Sequence, residues 1–266
     1  MSLLIFDSAD LYAPLARISP WLDMNTRPLG DVIAELDAQT HRRFIKSHLP
    51  YELLPHDDRV TYISVGRDPR DVAFSMAHHL DNVNLENFIM ERAAAVGLDD
   101  LVGMEAPPSL DLTDPRDFFR HWVDTDDDVR AEGLHSLVDH LRGFWEHRDD
   151  PNVVLLHYGD LQRDLVGRMA YLAERLGVDY SRERLEELAP AAGFDAMKSQ
   201  AERVAPNGDQ TFWKSTTDFF HKGTSGQWRG VISEHDEAHY EKRLHELADA
   251  ELVRWLHQGG AAWSTR

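Results

Sequence analysis

Two basic residues two positions apart, Lys46 and His48 in RFIKSHLP, stand where a short apolar run meets a Pro-terminated loop. In extended backbone that spacing lets both side chains point to one face. Alone, the pair also fits an ordinary strand end. A second set is Arg67, at the end of VTYISVGR, and Ser75, eight residues on, about two turns into a helix that Asp68 caps and Pro69 opens. A cation, the free N–H groups of a helix start and a hydroxyl make a phosphate cradle. The alternative is Arg67 paired with Asp68 or Asp71 and Ser75 bonded back to its own helix. The third set is FFHKGTSGQWRG, Phe219 to Gly230. Its glycines permit a nest of backbone N–H donors, Lys222 adds charge, and Trp228 is an anchor for the loop in the core.

Other chemistries lack their marks. The chain has no GxxxxGK followed by Ser or Thr, no GxGxxG, no GxSxG and no HExxH. It has no cysteine, which excludes disulfides, thiolate catalysis and Cys-ligated zinc and fits a reducing cytoplasm. His78 and His79 are adjacent and diverge on a helix, so no metal is expected. With 28 Lys+Arg against 47 Asp+Glu, the formal charge of −19 opposes broad attraction to nucleic acid or anionic membrane, so any anion must be held locally. No apolar run approaches the roughly 20 residues of a membrane span.

The elements that must position these residues read as α/β. MSLLIF is too short and too poor in basic residues for a signal peptide and looks like the tail of an element. Helical spacing runs from Leu29 to about Thr40, and short strands are expected at Phe44–Lys46, Val60–Val65 and Val153–His157. Helices are expected at Asn84–Val96, Pro115–Asp126 and Leu134–His147, and over DLVGRMAYLAERLG, closed by Gly177. Beyond Gly177 no strand is expected. Helices fall at Ser181–Leu188, Ala192–Val204 and Asp236–Leu256, and the 28-residue stretch Pro206–Ser233 is a long loop of the functional kind. Strands alternating with helices predict a three-layer fold, a parallel sheet flanked by helices.

Taken in order, these segments resemble the nucleotide-binding parts of the sulfotransferases that use 3′-phosphoadenosine 5′-phosphosulfate (PAPS). KSHLPYELLP is similar to the family's segment with the catalytic histidine, VTYISVGRDPRDVAFSM to its 3′-phosphate strand and helix, and HKGTSGQWRG to its RKGxxGDWK loop. LLHYGDL and GFDAM match the segments whose Tyr and Phe contact adenine. SLLIFDSADLYAPLARISPWLD, AQTHRRFIKSH and SVGRDPRD look most like mycobacterial glycolipid sulfotransferases. The resemblance implies sulfuryl transfer from PAPS to an acceptor hydroxyl, of a small molecule or glycolipid, in the cytoplasm and without a metal. It assigns His48 as the base and Lys46 as a charge near the sulfuryl group. Arg67, Ser75, Lys222 and Gly223 would hold the 3′-phosphate, and Tyr158 and Phe194 would enclose the adenine, all lining one pocket.

Two departures stand out. His221 occupies a position where the family has Arg, which makes that contact to the 3′-phosphate weaker or dependent on pH. The family's YPKxGTTW-like 5′-phosphosulfate loop has no counterpart. Residues 1–266 are therefore expected to be a single sulfotransferase domain, truncated at its N-terminus, with Met1 inside the first helix and a P-loop-like sheet that lacks its first strand. The strands at Val60–Val65 and Val153–His157 should then stand too far apart to pair directly, or the sheet should be rearranged; direct pairing in a regular sheet would count against the truncation. Either the recorded start is late, or the chain is a truncated paralogue on the same scaffold that binds nucleotide or a partner and catalyses nothing. As written it should turn over little. The region from Leu80 to Asp150 carries no readable acceptor motif, and Phe88, Met90, Met104, Phe118, Phe119 and Trp122 suit either an apolar acceptor or the core.

Overall fold

The computed structural model describes residues 1–99, 114–126, 133–207 and 211–260. In chain order the elements are α1 (Ser2–Phe6), α2 (Leu15–Ile18), α3 (Leu29–Ala38), β1 (Tyr62–Gly66), α4 (Pro69–Asn82), α5 (Leu85–Ala95), α6 (Pro115–Asp124) and α7 (Leu134–Glu146). There follow β2 (Val153–His157), α8 (Tyr158–Arg163), α9 (Leu165–Leu176), α10 (Arg182–Leu188), α11 (Phe194–Ser199), α12 (Ala201–Val204), α13 (Glu234–Leu247) and α14 (Ala250–Gln258). The fold class is α/β, as expected, with a small parallel sheet among many helices. None of the described helices is long and apolar enough to cross a membrane.

The chain divides into two compact units. One comprises Leu49–His78, Leu110–Leu185 and Thr224–Arg266 and contains the sheet. Its β1 and β2 pair in parallel from Tyr62 opposite Val153 to Gly66 opposite His157. This overturns the expectation that the two strands stand apart. No other described strand lies beside them, and pairing directly satisfies the N–H and C=O groups on their facing edges. All five residues of β2 are buried, the pattern of a strand covered on both faces. Helix α7 packs on both strands and α9 on β2.

The core of this unit explains the apolar stripe of α6. Phe118, Phe119, Trp122 and Val123, spaced as one helical face, are all buried against α7 and the helices near the C-terminus. The three aromatics among the acceptor candidates that lie on α6 are therefore core residues. Of the others, Phe88 is half-buried, Met90 is exposed, and Met104 lies outside the described residues.

Capping fixes the ends. Asp68 accepts the Arg70 N–H at 3.0 Å as α4 begins, and Gly177 closes α9 with φ at +64°. The single helix expected from Asp236 to Leu256 is two. Ala248 is extended, and Asp249 starts α14 by accepting the Leu252 N–H at 2.8 Å. The helix expected over Ala192–Val204 is likewise broken at Gln200.

The other unit comprises Met1–His48, His79–Ser109 and Glu186–Gly223. The strand expected at Phe44–Lys46 is absent. Lys46 forms only an isolated bridge with Trp21, its N–H donating to Pro20 O at 3.2 Å and its carbonyl accepting the Leu22 N–H at 3.0 Å. Without a second extended neighbour, one bridge does not propagate into a ladder. A small cluster of Ala201, Ala205 and Phe220, flanked by Phe194, Met197 and Phe219, gives the C-terminal part of this unit its own core.

Candidate active site

Lys46 and His48 meet on one surface, the indole of Trp21. The Lys46 Nζ lies 3.6 Å from the ring centre, and the His48 and Trp21 ring centres are 4.2 Å apart. Asp23 anchors the segment from behind. Its Oδ2 accepts the His48 backbone N–H at 2.9 Å and the Ser47 hydroxyl at 3.3 Å. The shared face that the two-residue spacing predicts is thus realised by an isolated bridge and an aromatic platform. Burial pushes the Lys46 ammonium down to about 8, with the Asp23 charge opposing the shift. A lysine so placed is a desolvated cation close to neutral titration, beside an imidazole. Sequence reasoning gave Trp21 and Asp23 no role. Their signal was WLD, starting three residues past the end of α2 and within bridge reach of Lys46.

In the unit that holds the sheet, Arg67 leaves β1 and is gripped from two sides. Its guanidinium carbon lies 4.4 Å from the centre of the Tyr158 ring, and its Nη2 donates to Thr224 O at 3.0 Å. The Nε is buried and has no hydrogen-bond partner among the described residues. The pairing with Asp68 or Asp71 offered by the sequence is not made. Asp68 takes Arg70 at 2.8 Å, and Asp71, 1% exposed, accepts the N–H groups of Gly226 and Gln227, each at 2.8 Å. Ser75 is half-buried on α4, one turn beyond Asp71 on the same face.

The loop is anchored as expected. Trp228 is buried, and the Arg70 guanidinium carbon lies 4.0 Å from its ring centre. The nest is narrower than the glycines promised, because Gly226 and Gln227 spend their N–H groups on Asp71.

The remaining adenine and phosphate candidates lie in the unit with Lys46 and His48. Gly223 has φ at +64°, and a Cβ there would fall 2.3 Å from Phe194 Cδ2, so the backbone rests directly on the Phe194 ring. His221 O accepts from Lys198 Nζ at 3.3 Å, and Lys222 is exposed. The structure thus brings together Lys46 with His48, Arg67 with Tyr158, and Phe194 with Gly223. No group of metal-ligating side chains is found among the described residues.

The sulfotransferase domain profile matches residues 4–252. Glycolipid sulfotransferases of Mycobacterium bovis and Mycobacterium tuberculosis are each 40% identical over 97% of this chain, covering 83% and 82% of their own lengths. The luciferin sulfotransferase of Photinus pyralis is 26% identical over 79% of the chain and 52% of its own. Among solved structures, retinol dehydratase in complex with androsterone and the inactive cofactor PAP superposes with a TM-score of 0.67 at 23% identity, covering 94% of this chain and 75% of that one. Mouse sulfotransferase SULT7A1 complexed with PAP gives 0.60 at 23%, covering 84% and 72%. With a domain match across nearly the whole chain and relatives at 40% identity, the chain belongs to the sulfotransferase domain family.

Proposed function

We propose that this protein transfers a sulfuryl group from PAPS to a hydroxyl of a glycolipid acceptor, working as a cytoplasmic enzyme. The observation that carries the reading is Arg67, fixed between the Tyr158 ring and the Thr224 carbonyl with a buried Nε still unbonded among the described residues. A buried guanidinium N–H without an acceptor calls for one, and a phosphate oxygen satisfies it with a charge-assisted bond. The residues also fit a purine. Tyr158 and Phe194 carry flat aromatic rings, and the missing side chain at Gly223 lets its backbone lie directly against the Phe194 ring. The acceptor class rests on the relatives named glycolipid sulfotransferases.

When bound, the donor supplies an activated sulfuryl group. Arg67, Ser75, Lys222 and Gly223 hold its 3′-phosphate, with His221 a contact that strengthens on protonation, and Tyr158 and Phe194 hold its adenine. The His48 imidazole takes the acceptor hydroxyl's proton. Lys46, in its ammonium form, stabilises the negative charge that grows on the transferring oxygens. Asp23 and Trp21 keep these two side chains together.

The test is twofold. Calorimetric titration with 3′-phosphoadenosine 5′-phosphate (PAP) should give saturable binding, and, in a form of the protein that carries the family's 5′-phosphosulfate loop, labelled sulfate should pass from PAPS to a glycolipid carrying a free hydroxyl. Binding without any transfer across a panel of glycolipid, steroid and phenolic acceptors would leave a nucleotide-binding scaffold and defeat the enzymatic reading.

A further inference from the structure

We propose that Asp71 is a positioning residue that sets the 3′-phosphate selectivity of the site by holding Arg67 through the turn Thr224–Gln227. The inference rests on the nucleotide reading above. Asp71 is almost fully buried at the start of α4, and both carboxylate oxygens are used: Oδ2 accepts the Gly226 N–H and Oδ1 the Gln227 N–H, each at 2.8 Å. Gln227 in turn donates its side-chain Nε2 to Thr224 O at 3.1 Å, the same carbonyl that receives Arg67 Nη2 at 3.0 Å. A continuous set of bonds therefore runs from Asp71 through Gln227 and the Thr224 carbonyl to the guanidinium.

The arrangement has an electrostatic consequence. Asp71 follows Arg67 by four residues and could have neutralised it. Two backbone N–H dipoles occupy the carboxylate instead, and among the described residues no carboxylate pairs with Arg67. Arg67 keeps its full charge for an anion. The turn is tied once more by Ser225, whose hydroxyl donates to Gln162 Oε1 at 2.6 Å, so its position is set from both α4 and α8.

Asp71→Asn keeps the shape but gives one of the two backbone N–H groups a donor to face, which loosens the turn and with it the guanidinium. The readout is the ratio of affinities for PAP and for adenosine 5′-phosphate, which lacks the 3′-phosphate, measured by calorimetry on folded protein. We expect the ratio to fall about tenfold, through weaker PAP binding, with adenosine 5′-phosphate affinity held. General loss of structure would weaken both ligands alike. If Asp71→Asn does not fold, Gln227→Ala removes the side-chain donor to the Thr224 carbonyl and spares the carboxylate, and the same ratio should fall by a smaller factor. A folded variant whose ratio stays within about twofold of the parent overturns the positioning role and leaves the nucleotide reading intact. A parent protein that does not distinguish the two nucleotides overturns both.

Discussion

Lys46 rests its ammonium on Trp21, with Nζ 3.6 Å from the ring centre, and the same indole carries the His48 imidazole. Burial lowers the proton affinity of the ammonium and the nearby Asp23 charge raises it, and burial wins, bringing Lys46 down to about 8. The charge is present below that pH and lost above it. Sulfuryl transfer should therefore decline on the alkaline side with a midpoint near 8. Lys46→Arg should move that decline upward, since a guanidinium stays charged. Profiles of kcat/KM against pH, which report the free enzyme, check this for both forms, and an unchanged alkaline limb in Lys46→Arg would remove Lys46 from the chemistry.

Gly223→Ala should weaken PAP binding about tenfold or more. Position 223 is left-handed, a backbone alanine resists, and the new methyl meets the Phe194 ring at 2.3 Å, so the ring must move. Calorimetry on a variant with a parent-like melting curve is the measurement.

How these features were read from sequence differs by cause. Helix ends were legible where one residue decides them: Asp68 and Pro69 for α4, Gly177 for α9. The buried run of β2 was legible because its length and apolar content leave few other roles. The segment at Phe44–Lys46 was misread because its apolar pattern fits a strand while pairing depends on a distant neighbour, and only Trp21 supplies one bridge. The alternative that paired Asp71 with Arg67 failed for the same reason. Sequence proximity offered it to Arg67, but its partners lie 155 and 156 residues away. Phe118, Phe119 and Trp122 had equal claims as core or acceptor wall, and only packing decides between them.

Gly66→Ala should lower stability by about 1–3 kcal/mol, because a Cβ at the end of β1 would lie 2.3 Å from the Trp255 ring, inside a packed core with little room to yield. Urea unfolding of parent and variant checks the value, and an unchanged midpoint would mean that Trp255 is not seated there.

His157 predicts a pH dependence of folding. Burial depresses its affinity for a proton, and both ring nitrogens are committed: Nε2–H donates to Leu256 O at 3.0 Å and Nδ1 accepts the Gly159 N–H at 3.1 Å. Only the neutral ring fits. The native state thus binds its proton at a lower pH than the unfolded chain, so this contribution is complete above the ordinary histidine range and is lost as pH falls through it toward the depressed value. Denaturant midpoints measured from pH 7.5 to 5 should fall, and His157→Gln should flatten that fall.

The central claim is that His48 is the base of a PAPS-dependent transfer, and the most direct measurement is the single-turnover rate of labelled sulfate transfer in His48→Ala, set against PAP affinity in the same variant. The account predicts a rate lowered roughly 10²- to 10⁴-fold with PAP affinity unchanged. Arg67→Ala should show the opposite, with PAP affinity reduced more than the transfer rate at saturating donor. Full transfer by His48→Ala in a protein that still requires PAPS would contradict the assignment.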